Sequence, residues 1–160
     1  MGFGNALLIA CQRCREFGKT LVIEELTLDA PQSEEIRVKV VACAICHSDI
    51  LYWSGGWGGT LPAVYGHETA GIVEEIGPNV SNIAVGDRVV VTLVRFCGTC
   101  HYCARGQQHL CESSFGLNES TRLHDAEGKP VLQALNTAGF AEEVVVHKSQ
   151  IVKVDEAMAL

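Results

Sequence analysis

The sequence predicts a mainly β domain, either a barrel or a sandwich, and three observations support this prediction. Apolar and polar residues alternate over short segments, β-branched residues are concentrated in those segments, and turn-forming residues separate them. The 160 residues are enough for one domain with its own hydrophobic core. Hydrophobic residues make up 48% and charged residues 19%, which is typical of an ordered globular chain and excludes a disordered one.

The clearest strand contains Ile36, Val38 and Val40, which alternate with Arg37 and Lys39. This period of two is the pattern of a strand with one buried face. Similar runs predict strands at residues 21–28, 72–76, 88–94, 143–147 and 151–154. Turn signals lie between them at residues 30–33, 77–79 and 86–87. Many short strands with regular turns favour a barrel or a sandwich.

Three segments depart from this pattern. Residues 45–60 predict a short helix followed by a glycine-rich loop. Residues 95–137 have little apolar periodicity, and so long an irregular segment is usually functional or held by something else. At the end of the chain, Asp155 precedes good helix formers and predicts a helix start. Because a helix that short is marginal alone, we expect the sequence to be part of a longer protein.

The charge and the eight cysteines limit the classes of function. The net charge is −7, and it stays negative even if all six histidines are protonated, which argues against nucleic acid and a polybasic membrane anchor as partners. No stretch approaches the ~20 apolar residues of a membrane span, and residues 1–10 lack the basic start of a signal peptide. We therefore expect a cytoplasmic protein with reduced thiols, whose cysteines bind metal instead of forming disulfides.

Four cysteines in the irregular segment have the spacing of a closed metal site. They form a C-x2-C-x2-C-x7-C pattern, consisting of Cys97, Cys100, Cys103 and Cys111. Four thiolates at this spacing can surround one tetrahedral Zn²⁺ and leave no position open, so the pattern predicts a structural zinc. An iron–sulfur cluster is an alternative, but Glu112 stands where ferredoxin-type runs have proline. A nucleic-acid-binding zinc knuckle is disfavoured by the acidic charge.

A second group of potential ligands follows a predicted strand. Cys46-His47-Ser48-Asp49 is followed about twenty residues later by Gly66-His67-Glu68. One thiolate, one imidazole and nearby carboxylates suit zinc, and catalytic zinc usually has three protein ligands and an open position. Cys46 and His67 are the strong candidates, with Glu68 or Asp49 as a third. The residues alone leave open a second interpretation, in which Cys46 is a small buried hydrophobic residue, Gly66-His67-Glu68 is an exposed turn, and the two do not share a metal.

Taken together, these motifs resemble the zinc-containing medium-chain alcohol dehydrogenases, and the likeness extends over residues 21–154. The resemblance implies an N-terminal catalytic domain at residues 1–160, with a GroES-like, partly open β-barrel, short helices and a structural-zinc lobe at about residues 95–137. It also implies a separate dinucleotide-binding domain, which we expect to be absent here because no G-x-G-x-x-G occurs. The signature reads Gly66-His67-Glu68-x2-Gly71-x5-Gly77-x2-Val80, followed by Gly86-Asp87-Arg88-Val89.

The resemblance also implies roles for individual residues. Cys46 and His67 correspond to two ligands of the catalytic zinc, and the third ligand, a cysteine or an acid, is expected outside this sequence. Asp49 would orient His67, and Glu68 would approach the metal during ligand exchange. Ser48 would take the alcohol proton. His47 would lie near the cofactor pyrophosphate or assist the proton relay. The expected substrate-pocket residues are Trp57, Leu93 and Phe140.

The implied activity is oxidation of a small-molecule alcohol to an aldehyde or ketone, with hydride transfer to NAD or NADP. The full-length protein is expected to be a homo-oligomer, a dimer or a tetramer. We expect the isolated chain to bind structural zinc well, to bind catalytic zinc poorly and to be inactive. A non-catalytic, zinc-stabilised GroES-like binding module is the alternative. Cys11 and Cys14 are spaced as a possible redox pair, but together with Cys43 they are expected to be bystander thiols.

Overall fold

The computed structural model describes residues 6–158, and within them strands predominate. The strands are β1 Leu7–Cys14, β2 Val22–Leu28, β3 Glu35–Ala44, β4 Ala63–Val64, β5 Glu68–Ile76, β6 Arg88–Val91, β7 Leu123–His124, β8 Pro130–Gln133, β9 Glu143–His147 and β10 Ile151–Lys153. The helices are α1 His47–Ser54 and α2 Gly116–Glu119. Single 3₁₀ turns occur at Cys103–Arg105, Gln108–Leu110, Ala134–Asn136 and Lys148–Gln150. The prediction of a mainly β fold is confirmed.

Five strands close into a barrel in the order β1-β2-β7-β8-β4, with β4 pairing back onto β1. Strands β1 and β2 form a long antiparallel pair in which Leu7 lies opposite Leu28. The two-residue strand β4 pairs in parallel with β8. The barrel encloses an apolar core that includes Ile9, Leu26, Leu28, Val64, Leu123, Val131 and Val145. Burial of these side chains is the main force that closes the barrel.

The other five strands form a sheet in the order β10-β6-β5-β3-β9. Ile36 and Val38 on β3 are fully buried, whereas Lys39 is exposed, as the alternating pattern predicts. They pack with Val73, Val89 and Val144 in a second apolar core. Strand β3 lies between β5 and β9 and pairs with both of them. Its last residue, Ala44, lies opposite Glu68 at the start of β5, which brings the two candidate ligand segments together.

The predicted strands at residues 21–28, 72–76, 88–94, 143–147 and 151–154 correspond to β2, β5, β6, β9 and β10. The predicted short helix is α1, which ends at Gly55 in the left-handed region at φ 80°. Strands β7 and β8 lie within residues 95–137, so the C-terminal part of that range belongs to the barrel.

At the helix start expected at Asp155, the described residues form a turn up to Met158 and not a helix. The N–H of Ala157 donates to Asp155 Oδ1 (2.8 Å) within a turn. Ala159 and Leu160 lie outside the described residues, and so do residues 1–5, which belong to the stretch compared with a signal peptide above. Among the residues that the structure describes, no helix has both the length and the apolar character needed to span a membrane.

Candidate metal centres

The first candidate centre lies where β3 runs into α1 and β5 begins. Cys46 has an extended conformation (φ −95°, ψ 156°) and directly precedes the first turn of α1. His67 directly precedes β5, and its side chain is buried. The ligand atoms of Cys46, His67 and Glu68 all lie within 4.8 Å of one another. One thiolate, one imidazole and one carboxylate at this separation fit a zinc ion, so the residues predicted as ligands are brought together.

Asp49 holds this centre in place with three hydrogen bonds. The carboxylate is 3% exposed and accepts the backbone N–H groups of Cys46 at Oδ2 and of Gly66 at Oδ1, each at 3.0 Å. The same Oδ1 lies 3.2 Å from His67 Nδ1. Because a carboxylate accepts, Nδ1 carries the proton, and the lone pair of Nε2 is free for a metal. Asp49 therefore fixes both the position of Cys46 and the orientation of His67.

The other residues of these segments surround the ligands. Ser48 Oγ lies 3.3 Å from His67 Nε2, so a hydroxyl group that can carry a proton is adjacent to the nitrogen available for metal binding. Glu68 is exposed to solvent, and its carboxylate lies close to the ligand atoms of Cys46 and His67. His47 is exposed on the first turn of α1. The contact between Ser48 and His67 joins positions 19 residues apart and was not predicted from the sequence.

The glycines of the sequence signature have a backbone role. Gly66 has φ 95°, and a Cβ there would lie 2.6 Å from the backbone nitrogen of Phe140. At Gly71 and Gly77, a Cβ would overlap a carbonyl oxygen of a neighbouring chain segment. Only glycine permits such close approach. The signature therefore combines metal-binding side chains with glycines that let β5 pack closely against its neighbours.

The three predicted substrate-pocket residues lie in different surroundings. Phe140 packs against the barrel core and lines an open cavity of about 460 Å³. Trp57 is 57% exposed, and its ring meets that of Tyr52 edge to face at 5.3 Å. Leu93 is 40% exposed, and its carbonyl oxygen accepts a hydrogen bond from the Asn136 side chain. Their contribution to a substrate pocket stays a prediction.

The second candidate centre consists of the four cysteines in the segment after β6. Their sulfur atoms all lie within 4.8 Å of one another. Cys97 Sγ is 3.9 Å from Cys103 Sγ, and Cys100 Sγ is 4.0 Å from Cys111 Sγ. A tetrahedron of sulfurs around zinc, with Zn–S of about 2.3 Å, has edges of about 3.8 Å. The four thiols are therefore arranged for one zinc ion with no position left open, which is the geometry of a structural site.

Hydrogen bonds to the sulfur of Cys97 stabilise its thiolate form. Cys97 Sγ accepts the backbone N–H groups of Thr99 (3.4 Å) and Cys100 (3.3 Å). The Ser113 side chain and these two N–H groups lower the pKa of Cys97 to about 5. In contrast, burial raises the pKa of Cys103 to about 11. Because zinc binds thiolates, loading the site at neutral pH requires the metal to displace the proton of Cys103.

The three remaining cysteines are free thiols in the structure. Cys11 and Cys14 are buried, and burial raises the pKa of Cys11 to about 12. Cys43 is partly buried, and its sulfur accepts a hydrogen bond from Thr69 Oγ1 (3.4 Å). A thiol with a raised pKa is a poor nucleophile at neutral pH, which agrees with a bystander role for Cys11.

Comparison with known proteins decides the family. The sequence model of the alcohol dehydrogenase GroES-like domain matches residues 32–156. The chain belongs to this family. Its GroES-like domain is 34% identical over 148 residues to alcohol dehydrogenase class-P of Arabidopsis thaliana, which covers 88% of this chain and 39% of that protein. It is 35% identical over 145 residues to S-(hydroxymethyl)glutathione dehydrogenase of Saccharomyces cerevisiae, with 86% and 38% covered.

Solved structures share the same fold. The alcohol dehydrogenase zinc-binding domain protein from Burkholderia ambifaria has a TM-score of 0.88 and 32% identity to this chain, and the match covers 96% of this chain and 43% of that protein. Benzyl alcohol dehydrogenase from Acinetobacter calcoaceticus has a TM-score of 0.81 and 32% identity, with 96% and 42% covered. A zinc-binding dehydrogenase from Sinorhizobium meliloti 1021, solved with NADP, has a TM-score of 0.70 and 27% identity, with 96% and 40% covered. The GroES-like domain thus spans about 40% of the length of these relatives.

Proposed function

We propose that this GroES-like domain provides the zinc ligands and the first proton-carrying group of an alcohol dehydrogenase. The whole protein would oxidise a small-molecule alcohol to an aldehyde or ketone with NAD or NADP, and would act as a homo-oligomer. The observation that carries this proposal is the cluster of Cys46, His67 and Glu68, with the Ser48 hydroxyl beside His67 and the Asp49 carboxylate behind it. The named alcohol dehydrogenases among its relatives, and the NADP in one related structure, support it.

The side chains of the first centre would have different roles in the reaction. Cys46 Sγ and His67 Nε2 would hold the metal, and Asp49 keeps His67 in the tautomer that leaves Nε2 unprotonated. When bound, zinc would lower the pKa of the alcohol, and the nicotinamide would accept the hydride. Ser48 Oγ, 3.3 Å from His67 Nε2, would accept the proton of the substrate hydroxyl. His47 is exposed and would pass the proton on or neutralise the cofactor pyrophosphate.

The four-cysteine centre has a different role. Cys97, Cys100, Cys103 and Cys111 would fill every position around their zinc ion, so this site has no place for a substrate. Few apolar residues are available to order the segment that carries them, and the metal would supply that order instead. A non-catalytic binding module would need only this centre. The hydroxyl and carboxylate around the first centre therefore favour the enzyme.

Three single substitutions test the proposal. Cys97→Ser should remove tightly held zinc from the chain, whereas Cys46→Ser should leave that zinc in place and abolish weaker binding at the first centre. Zinc per chain is measured by metal analysis after dialysis, and the weaker site by Co²⁺ titration. Ser48→Ala should keep both metals and lower kcat for alcohol oxidation by the whole protein by about 10²–10⁴-fold.

The outcomes separate the enzyme from the binding module. Turnover by the whole protein at the normal rate after Cys46→Ser or Ser48→Ala would contradict the catalytic proposal. We also expect the isolated chain to hold one zinc firmly and to show no alcohol oxidation with NAD or NADP. Clear turnover by the isolated chain would contradict that expectation.

A further inference from the structure

A short segment before β9, residues 135–140, is hydrogen-bonded to the backbone that carries His67. The N–H of Gly139 donates to the carbonyl oxygen of Gly66 (2.7 Å), the residue directly before this histidine. The N–H of the following residue donates to the carbonyl oxygen of Tyr65 (2.9 Å). The 135–140 segment therefore contacts the metal-binding part of the chain directly, although it contributes no ligand to the first centre.

The backbone of the 135–140 segment is strained and firmly anchored. Leu135, Asn136 and Ala138 all lie in the left-handed region, at φ 53°, 61° and 63°. Residues other than glycine rarely adopt this conformation, and it persists only where the surrounding structure imposes it. Two buried side chains supply that constraint, because the carbonyl oxygen of Asn136 accepts from Arg95 Nη2 (3.0 Å) and Gln150 Nε2 (3.1 Å). Strain of this kind is often found next to functional groups.

Gly139 is buried at a point where no side chain fits. A Cβ there would lie 2.1 Å from Thr69 Oγ1 and 2.8 Å from Cys43 Sγ. These two atoms are themselves joined, because Thr69 is 2% exposed and its Oγ1 donates to Cys43 Sγ (3.4 Å). The φ angle of Gly139 lies outside the left-handed region, so the position requires glycine for lack of space and not for its backbone conformation.

Gly66 and Thr69 flank His67 in the chain, and Gly139 packs against both of them. We propose that Gly139 is a positioning residue for the first metal centre. Its missing side chain lets the anchored 135–140 segment close onto the backbone of Gly66, which keeps His67 Nε2 directed at the metal. Asp49 orients the imidazole ring, and Gly139 fixes the backbone from which the ring extends. This inference rests on the first centre of the proposed function.

Gly139→Ala places a methyl group against Thr69 Oγ1 and should push the 135–140 segment away from Gly66. In Co²⁺ titration of the zinc-loaded chain, we expect the affinity of the first centre to fall at least about tenfold, the usual loss when a group that orients a metal ligand is removed. Without Co²⁺, the ring ¹⁵N NMR signals of His67 should show a larger fraction protonated at Nε2. Gly116→Ala is the matched control, because a Cβ there would lie 3.7 Å from its nearest neighbour.

A rescue experiment tests whether the close approach is the cause. Thr69→Ala and Thr69→Val both remove the hydroxyl group, but valine keeps the branched shape and alanine does not. In a Thr69→Ala/Cys43→Ala background, Gly139→Ala should lower the Co²⁺ affinity less than about threefold, because the atoms that it meets have been removed. In the Thr69→Val background, the loss should stay at about tenfold.

The outcomes separate this inference from the proposed function. Wild-type Co²⁺ affinity and an unchanged His67 tautomer in Gly139→Ala would overturn the inference and leave the first centre intact. The same result together with weaker resistance to urea would make Gly139 a purely structural glycine, which also overturns it. A wild-type chain whose first centre binds no Co²⁺ would overturn both proposals.

A milder variant of the same segment serves if Gly139→Ala does not fold. Asn136→Ala changes an exposed side chain at φ 61°, a conformation that alanine adopts less readily than asparagine. It also removes the hydrogen bond from Asn136 Nδ2 to the carbonyl oxygen of Leu93. We expect the Co²⁺ affinity of the first centre to fall by about threefold, as for partial loosening of a supporting segment. An unchanged affinity in this variant would overturn the inference.

Discussion

Asp49→Asn removes one charge directly behind the ligands of the first metal centre and leaves the side-chain shape almost unchanged. The carboxylate accepts hydrogen bonds from Cys46 N, Gly66 N and His67 Nδ1. An amide has one oxygen and one NH₂ group, so whichever way it turns, its NH₂ group faces at least one backbone N–H. The variant therefore loses an acceptor at a site that is 3% exposed, where water cannot replace it.

The expected effect has two separate components. Leaving a buried backbone N–H without an acceptor lowers the free energy of unfolding by about 1–3 kcal/mol. Weakening the hold on His67 lowers the metal affinity of the first centre by about 10- to 100-fold, which corresponds to about 1.4–2.7 kcal/mol of binding free energy. The four-cysteine centre shares no residue with Asp49 and should keep its zinc.

Urea unfolding of the zinc-loaded chain measures the first component, and Co²⁺ titration of the first centre measures the second. Asp29→Asn is the matched control, because Asp29 also pairs with a histidine, His124, at 2.9 Å, but its side chain is 41% exposed. An exposed pair of this kind contributes about 0–1 kcal/mol, and it is far from metal ligands in the sequence. If Asp49→Asn bound Co²⁺ as the wild type does and unfolded like the control, the role assigned to Asp49 would be wrong.

Two further predictions concern the fold around the metal ligands. Gly71→Ala places a methyl group against the carbonyl oxygen of Lys39, so we expect the free energy of unfolding in urea to fall by about 3 kcal/mol. The control is Gly128→Ala at an open turn with φ 75°, where we expect a fall of about 1 kcal/mol. Equal losses in the two variants would contradict the close-approach explanation. Burial lowers the pKa of His147, so the folded chain binds its proton less readily than the unfolded chain, and stability should fall as the pH drops below about 6.5. His147→Asn keeps an acceptor for the N–H of Ser149 and should flatten the stability profile between about pH 5 and 7; an unchanged slope would exclude His147 as its source.

Strand β3 could be predicted because its buried face leaves a period of two in the sequence, whereas the eight-residue strand β1 was not predicted. Ile36 and Val38 on β3 are buried and Lys39 is exposed, as their alternation indicates. The short strands β4 and β7 have two residues each, too few for any period to be detected. They are defined by pairing with distant strands, β4 with β1 and β8, and β7 with β2 and β8. Their place in the barrel therefore became visible only in the structure.

The candidate ligands could be predicted for a related reason. Cysteine and histidine at fixed spacings are recognisable in the sequence, and the structure brings Cys46 and His67, which the resemblance assigns to one zinc ion, close together. The groups that hold the ligand segments in position are harder to recognise in the sequence. The hydrogen bonds of Asp49 to Gly66 and of Arg95 to Asn136 join positions 17 and 41 residues apart. A lone aspartate or arginine has no pattern that reveals such partners, because only the packed sheet brings them together.

The two metal centres depend on the fold in different ways. The four cysteines lie between positions 97 and 111, and the N–H groups that bind their sulfurs come from the same short segment, so this centre is organised locally. The first centre joins the end of β3 to the start of β5, and it exists only while Ala44 stays opposite Glu68 in the sheet register. A slip of one residue would turn Glu68 to the other face of the sheet and shift His67, which precedes it, away from Cys46. Loosening of the sheet should therefore cost the first centre its metal before the four-cysteine centre loses zinc.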